Sequence, residues 1–167
     1  RVLLGRLGKL REQALLDADG AIEAWRKCLE MDDADAEALE ALDRLYSATN
    51  QYKLLVEVLR SRERLTDDAD LRRSLLKRSA EVLAGKLDDA AGAIEAYRTL
   101  LDGFGPDREI LAAVAALYGK SAQHRDLAES LEKQLDLATE AADRVTLLSQ
   151  LGTLRIDHLD DLPGGLE

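Results

Sequence analysis

The chain has 167 residues, 33 of them acidic and 23 Lys or Arg, for a formal charge of −10; that balance repels phosphate backbones and anionic membrane surfaces and favours neutral or basic protein partners. Apolar residues make up 46% and aromatics only 4%, and the richness in Ala, Leu, Glu, Asp and Arg is that of an all-helical chain, not of a sheet or a disordered one. No apolar run approaches the roughly 20 residues of a membrane span, and no charged-then-apolar signal segment opens the chain. The single cysteine, Cys28, rules out an internal disulfide and leaves the compartment open, leaning to the cytoplasm.

In chain order, apolar residues recur at helical spacing over residues 3–13, 20–31, 36–48 and 52–65. Short polar breaks separate these segments. In "DDADAEALEAL", Asp35 is placed to accept the free amide hydrogens of the next helix start, and Glu37 sits favourably in the first turn. The same four segments return one period later. The glycines and proline of "GFGP", residues 103–106, stop the second of these, and Pro163 suits the start of a last partial helix.

The period is 72 residues. "GAIEAWRKCLE" begins at Gly20 and "GAIEAYRTLLD" at Gly92; Leu39, Ala41, Leu45 and Tyr46 fall on Leu111, Ala113, Leu117 and Tyr118. Roughly a third of the aligned positions are identical, spread along the whole unit. At twice the offset Leu3, Leu4, Leu7 and Gly8 meet Leu147, Leu148, Leu151 and Gly152, so a third copy has begun.

The stretch "AIEAWRKCLEMDDADAEALEALDRLY" resembles the tetratricopeptide repeat, a helical hairpin of about 34 residues. Leu4, Leu7 and Gly8, then Ala21, Trp25 and Cys28, carry the likeness in the first hairpin, and Pro106 closes the third where the family often has proline. The resemblance implies an all-α, right-handed α-α superhelix of about four and a half hairpins. It places them at about residues 1–34, 36–69, 73–106, 108–141 and, in part, 145–167, as a single solenoid segment. Departures gather in alternate hairpins. Asp43, and Arg62 with its counterpart Gln134, stand where small residues are expected, Leu55 and Leu127 where alanine is usual, and Leu59 and Leu131 where an aromatic is common. The repeating unit is therefore a pair of hairpins.

Periodicity also weighs each tempting residue. Tyr97 fills the slot of Trp25 and Leu100 that of Cys28, so both read as core and not as a ligand platform or a nucleophile. His124 and His158 read as isolated, without partners at metal-ligand spacing. The acids from Asp32 fail as a calcium loop, because Ala38 and Arg44 hold the glycine and bidentate-acid positions. Asp67, Asp68, Asp70, Asp88 and Asp89 read as caps or solvated loops. With no phosphate loop, Ser/His/Asp set or Cys/His grouping, neither a cofactor nor catalysis is expected.

What remains is surface. In the resembling family first helices line a concave groove, which implies partner-binding positions at Lys9, Glu12, Glu37, Glu40, Arg44, Lys77, Arg78, Glu81 and Lys120, with Ser74, Ala112 and Ala116 beside them. A carboxylate clamp known in some members would fall on Gly5, Lys9, Ala41, Ser74 and Arg78; only Arg78 agrees, so that ligand is not expected. The expected function is a non-enzymatic interaction scaffold that offers a groove to a protein or peptide partner, with a basic partner favoured by charge. The alternative is a structural segment that stacks on further copies of itself through apolar faces at its ends, as a fragment of a longer array would. RNA binding by a helical-hairpin repeat is the third reading, and the acidic balance opposes it.

Overall fold

Asp17 and Asp89 occupy the same place in two nearly identical turns. Each carboxylate accepts a hydrogen bond, 2.9 Å long, from the amide of a glycine three residues on, Gly20 or Gly92. A Cβ there would lie 2.1 Å from Oδ2 of Asp17 or 2.5 Å from that of Asp89, so with any other residue the carboxylate would have to shift from the position it holds over the helix start. Both copies of the motif open on a residue that leaves the carboxylate undisturbed.

The structure, a computed structural model, describes residues 1–158. Among these residues nine helices and no strand occur: α1 Val2–Gln13, α2 Ala18–Met31, α3 Ala36–Ala48, α4 Tyr52–Leu65, α5 Ala69–Lys86, α6 Ala90–Phe104, α7 Arg108–Lys120, α8 His124–Leu137 and α9 Ala141–His158. The expected segments agree with these helices except at α5 and α9, which start earlier, at Ala69 and Ala141; Asp68 caps α5, accepting from the amides of Asp70 and Leu71. Asp35 and Asp107 cap α3 and α7 in the same way. Gly105, with φ +83°, ends α6. The expected helix start at Pro163 lies outside the described residues.

The chain divides into two compact units, residues 1–88 and the remainder from Asp89. In the first, α1 packs on α2, α2 on α3, α3 on α4 and α4 on α5. Its core joins Trp25 and Cys28 to Leu42, Tyr46, Leu55 and Leu59, with Leu75 closing it from α5. Each fully buried Leu or comparable side chain contributes about 1.5–3 kcal/mol. In the second unit α6 packs on α7, α7 on α8 and α8 on α9. There Leu100, Leu111 and Val114 are buried, and a cluster of Ala128, Leu131, Leu147, Leu151 and Leu154 joins α8 to α9.

Sharp turns repeat with the same period. Leu16 and Asp88 have φ of +52° and +51°, and Asn50 and Ala122 have +57° and +53°. One left-handed residue thus serves each equivalent turn, whatever its side chain.

Candidate functional site

The helices that the sequence reading assigned to a groove are α1, α3 and α5 of the first unit, and side chains tie them together. Lys9 Nζ on α1 lies 2.5 Å from Glu37 Oε1 on α3. Arg44 on α3 reaches Glu12 on α1 at 3.4 Å. Lys9, Glu37 and Arg44 are more than half exposed and Glu12 is 20% exposed; at such a surface an ion pair contributes about 1 kcal/mol or less.

The third connection is buried. Asp43 on α3, its side chain only 5% exposed, pairs with Arg62 on α4 and, at 2.7 Å, with Arg78 on α5. Arg78 also donates to Ser47 Oγ at 2.7 Å, and Arg62 reaches Glu40 at 3.5 Å. Glu40, Asp43, Arg44, Ser47, Arg62 and Arg78 line a depression of about 590 Å³. The arrangement is a mixed-sign surface able to read the charges of an extended segment. Because Arg78 is committed to Asp43 and Ser47, the single residue that matched the carboxylate clamp is held within the protein.

Of the other expected positions, Lys77 is half-buried and Glu81 exposed on α5, and Lys120 is exposed on α7 of the second unit. Sequence reasoning had placed Asp43 and Arg62 only among the departures from the repeat pattern and missed Ser47. The signal was present in the second copy, where the same positions hold Ala115 and Gln134: the two charges are present together and absent together.

Trp25 and Cys28 are each 1% exposed, in keeping with core roles. Burial raises the Cys28 thiol above its ordinary value. The reading of His124 and His158 as isolated requires correction. Their rings stack, 4.1 Å between centroids and 1° from parallel. Adjacent helices joined by a short turn run in opposite directions, so the start of α8 meets the end of α9. One period earlier the same positions are Tyr52 and Lys86, with the ammonium 5.7 Å from the ring centroid. Among the described residues no group of three or more potential metal ligands occurs, and no helix is long and apolar enough to cross a membrane.

The fold is that of the tetratricopeptide class, an all-α helical-repeat superhelix. Solved structures similar to this chain include MamA, with a TM-score of 0.56 and 16% identity over 99% of this chain and 85% of that one. YrrB, described as a TPR protein with an unusual peptide-binding site, has a TM-score of 0.56 and 15% identity over 98% and 79%. A kinesin light chain of Podosopora anserina with nearly identical TPR-like repeats has 0.53 and 14% over 98% and 89%. No protein-family model and no curated protein sequence matches the chain.

Proposed function

We propose that the chain is a non-enzymatic interaction scaffold, that its two units belong to one solenoid segment, and that the face formed by α1, α3 and α5 receives a partner polypeptide. The observation that carries this reading is the depression around Glu40, Arg44 and Arg78, flanked by the Lys9–Glu37 and Glu12–Arg44 pairs. Charges of both signs, fixed on rigid helices, select the order of charges along a bound segment more than they add affinity. The overall charge of −10 favours a basic partner. YrrB, of the same fold, is described by its peptide-binding site, which supports a peptide as the class of ligand.

The test exploits the pairing. Lys9→Glu with Glu37→Lys, and Glu12→Lys with Arg44→Glu, reverse the surface signs while keeping each pair, so the fold stands. Capture from a lysate of the source, with the natural and the swapped protein as baits, is expected to give a protein recovered by the natural bait alone. Identical recoveries would remove the proposed face.

A second reading, self-association, rests on α1 and α9. Val2, Leu3 and Leu10 are 67%, 78% and 54% exposed, and Val145 and Leu148 are 66% and 45% exposed. Sedimentation equilibrium separates the readings: a mass that rises with concentration supports self-association, and a constant monomer mass removes it.

A further inference from the structure

The second unit contains a cavity of about 650 Å³ between α7, α8 and α9, at the positions that carry the charge network one period earlier. The exchange is systematic. Glu40, Asp43 and Arg44 become Ala112, Ala115 and Ala116. Arg62 and Arg78 become Gln134 and Gln150, and Lys77 and Glu81 become Ser149 and Thr153. Leu127 and Leu131, one period after the core residues Leu55 and Leu59, line this cavity. Every ion pair of the first-unit site is thus gone, and a depression of comparable size is lined by uncharged side chains apart from His158.

Two properties of this cavity point to an occupant. Apart from His158 at its edge, no lining residue bears an ionisable group, so an acidic or basic side chain entering it would lose its hydration without a counter-charge. An apolar side chain would meet the alanines of α7 and Leu127, Leu131 and Leu154, beside the uncharged polar Ser149, Gln150 and Thr153, and contribute by burial. Secondly, Gln134 is only 7% exposed. Its amide nitrogen donates to the Leu111 carbonyl at 3.4 Å, while its carbonyl oxygen, on the wall of the cavity, has no partner among the described residues. That oxygen faces the open side of the cavity, where it can accept a hydrogen bond from a bound segment in place of water.

We infer that this cavity receives one bulky, uncharged apolar side chain, of the Leu or Phe kind, from a partner peptide whose backbone N–H donates to the Gln134 carbonyl oxygen. The inference rests on the scaffold reading and deepens it: the first unit reads charge, and the second supplies an anchor pocket. The arrangement matches the general pattern in which a few desolvated apolar anchors carry affinity while surrounding charges select partners.

The test is an amide chemical-shift titration of the chain with short peptides of Gly, Ser and Asn that differ only in one central residue, Leu, Phe, Lys or Glu. Leu- and Phe-centred peptides are expected to shift the amides of Ala112, Ala116 and Leu154, and Lys- and Glu-centred peptides to leave them in place. Ala116→Leu, at an exposed helical position that tolerates the change, fills the cavity and is expected to weaken binding by about tenfold or more; Ala112→Leu is the second filling variant. Charged peptides binding as well as apolar ones, both variants binding like the natural chain, or no peptide shifting these amides would each overturn the inference. The scaffold reading fails separately. A lysate partner captured equally by the natural and Ala116→Leu baits, but lost with the sign-swapped pairs, would keep the groove and remove the pocket.

Discussion

The indole of Trp25 packs so closely on Gly8 that a methyl group at that position would stand 2.6 Å from its Cε2 atom. The ring fills the space between α1 and the core, at 1% exposure, and only glycine lets the helix approach it. Gly8→Ala is expected to destabilise by about 1–3 kcal/mol, the usual cost of overpacking. Trp25→Ala is expected to cost about 3–5 kcal/mol, the loss for a large buried aromatic. Denaturant midpoints followed by circular dichroism measure both. The equivalent residues one period on, Ala80 and Tyr97, suggest the remedy. Gly8→Ala combined with Trp25→Tyr should lose less than the sum of its parts, a coupling that a double-mutant cycle reads directly.

Arg62→Ala leaves the Asp43 carboxylate, 5% exposed, with Arg78 as its one remaining partner in the network. We expect a loss of about 3 kcal/mol, towards the lower end for a buried pair broken from one side. The double change Asp43→Ala with Arg62→Gln installs the residues of the second copy. It should recover most of that loss, since both charges leave together. Urea unfolding of the two variants decides the matter; equal losses would mean that the pair contributes through packing alone.

Leu16 holds φ +52° and is 85% exposed. It therefore bears backbone strain without a compensating contact. Leu16→Asn, matching the residue type at Asn50 in the other kind of turn, is expected to stabilise by about 0.5–1 kcal/mol. An unchanged melting temperature would show that the turn relaxes without help.

Burial raises the hydroxyls of Tyr46 and Tyr118 above their ordinary value of 10.0, and the thiol of Cys28 above 9.0. The unfolded chain therefore releases these protons first. Below pH 9 the groups are neutral in both states and their contribution is intact; as pH climbs beyond 9 and 10 it is lost. Melting temperatures are expected to fall on this alkaline limb, and to fall less steeply in Tyr46→Phe and Tyr118→Phe, which keep the ring and remove the titration.

Helix positions and the core were legible because the period supplied a second reading of each residue: Trp25 with Tyr97 and Cys28 with Leu100 identify a shared interior slot more firmly than either residue does alone. The start of α5 was less so. Leu71 is 37% exposed, and the apolar rhythm is weak before Leu75, so the cap at Asp68 and not hydrophobic spacing sets the boundary. The candidate site was legible in its helices and not in its network. Asp43 lies 19 residues from Arg62 and farther from Arg78, and no periodicity within one copy links positions on three helices. The stack of His124 and His158 escaped for the same reason, since contact across two antiparallel helices leaves no spacing to recognise.

Two tandem copies this similar face a hazard during folding, because a helix of one can dock on the partner meant for the other. The Asp43–Arg62 pair discriminates. Were α3 to settle against α8 in place of α4, Asp43 would confront Gln134, and a carboxylate would be interred without its counter-charge, at a cost of several kcal/mol. On that account the ion pair would favour the pairing of α3 with α4 over its pairing with the copy of α4.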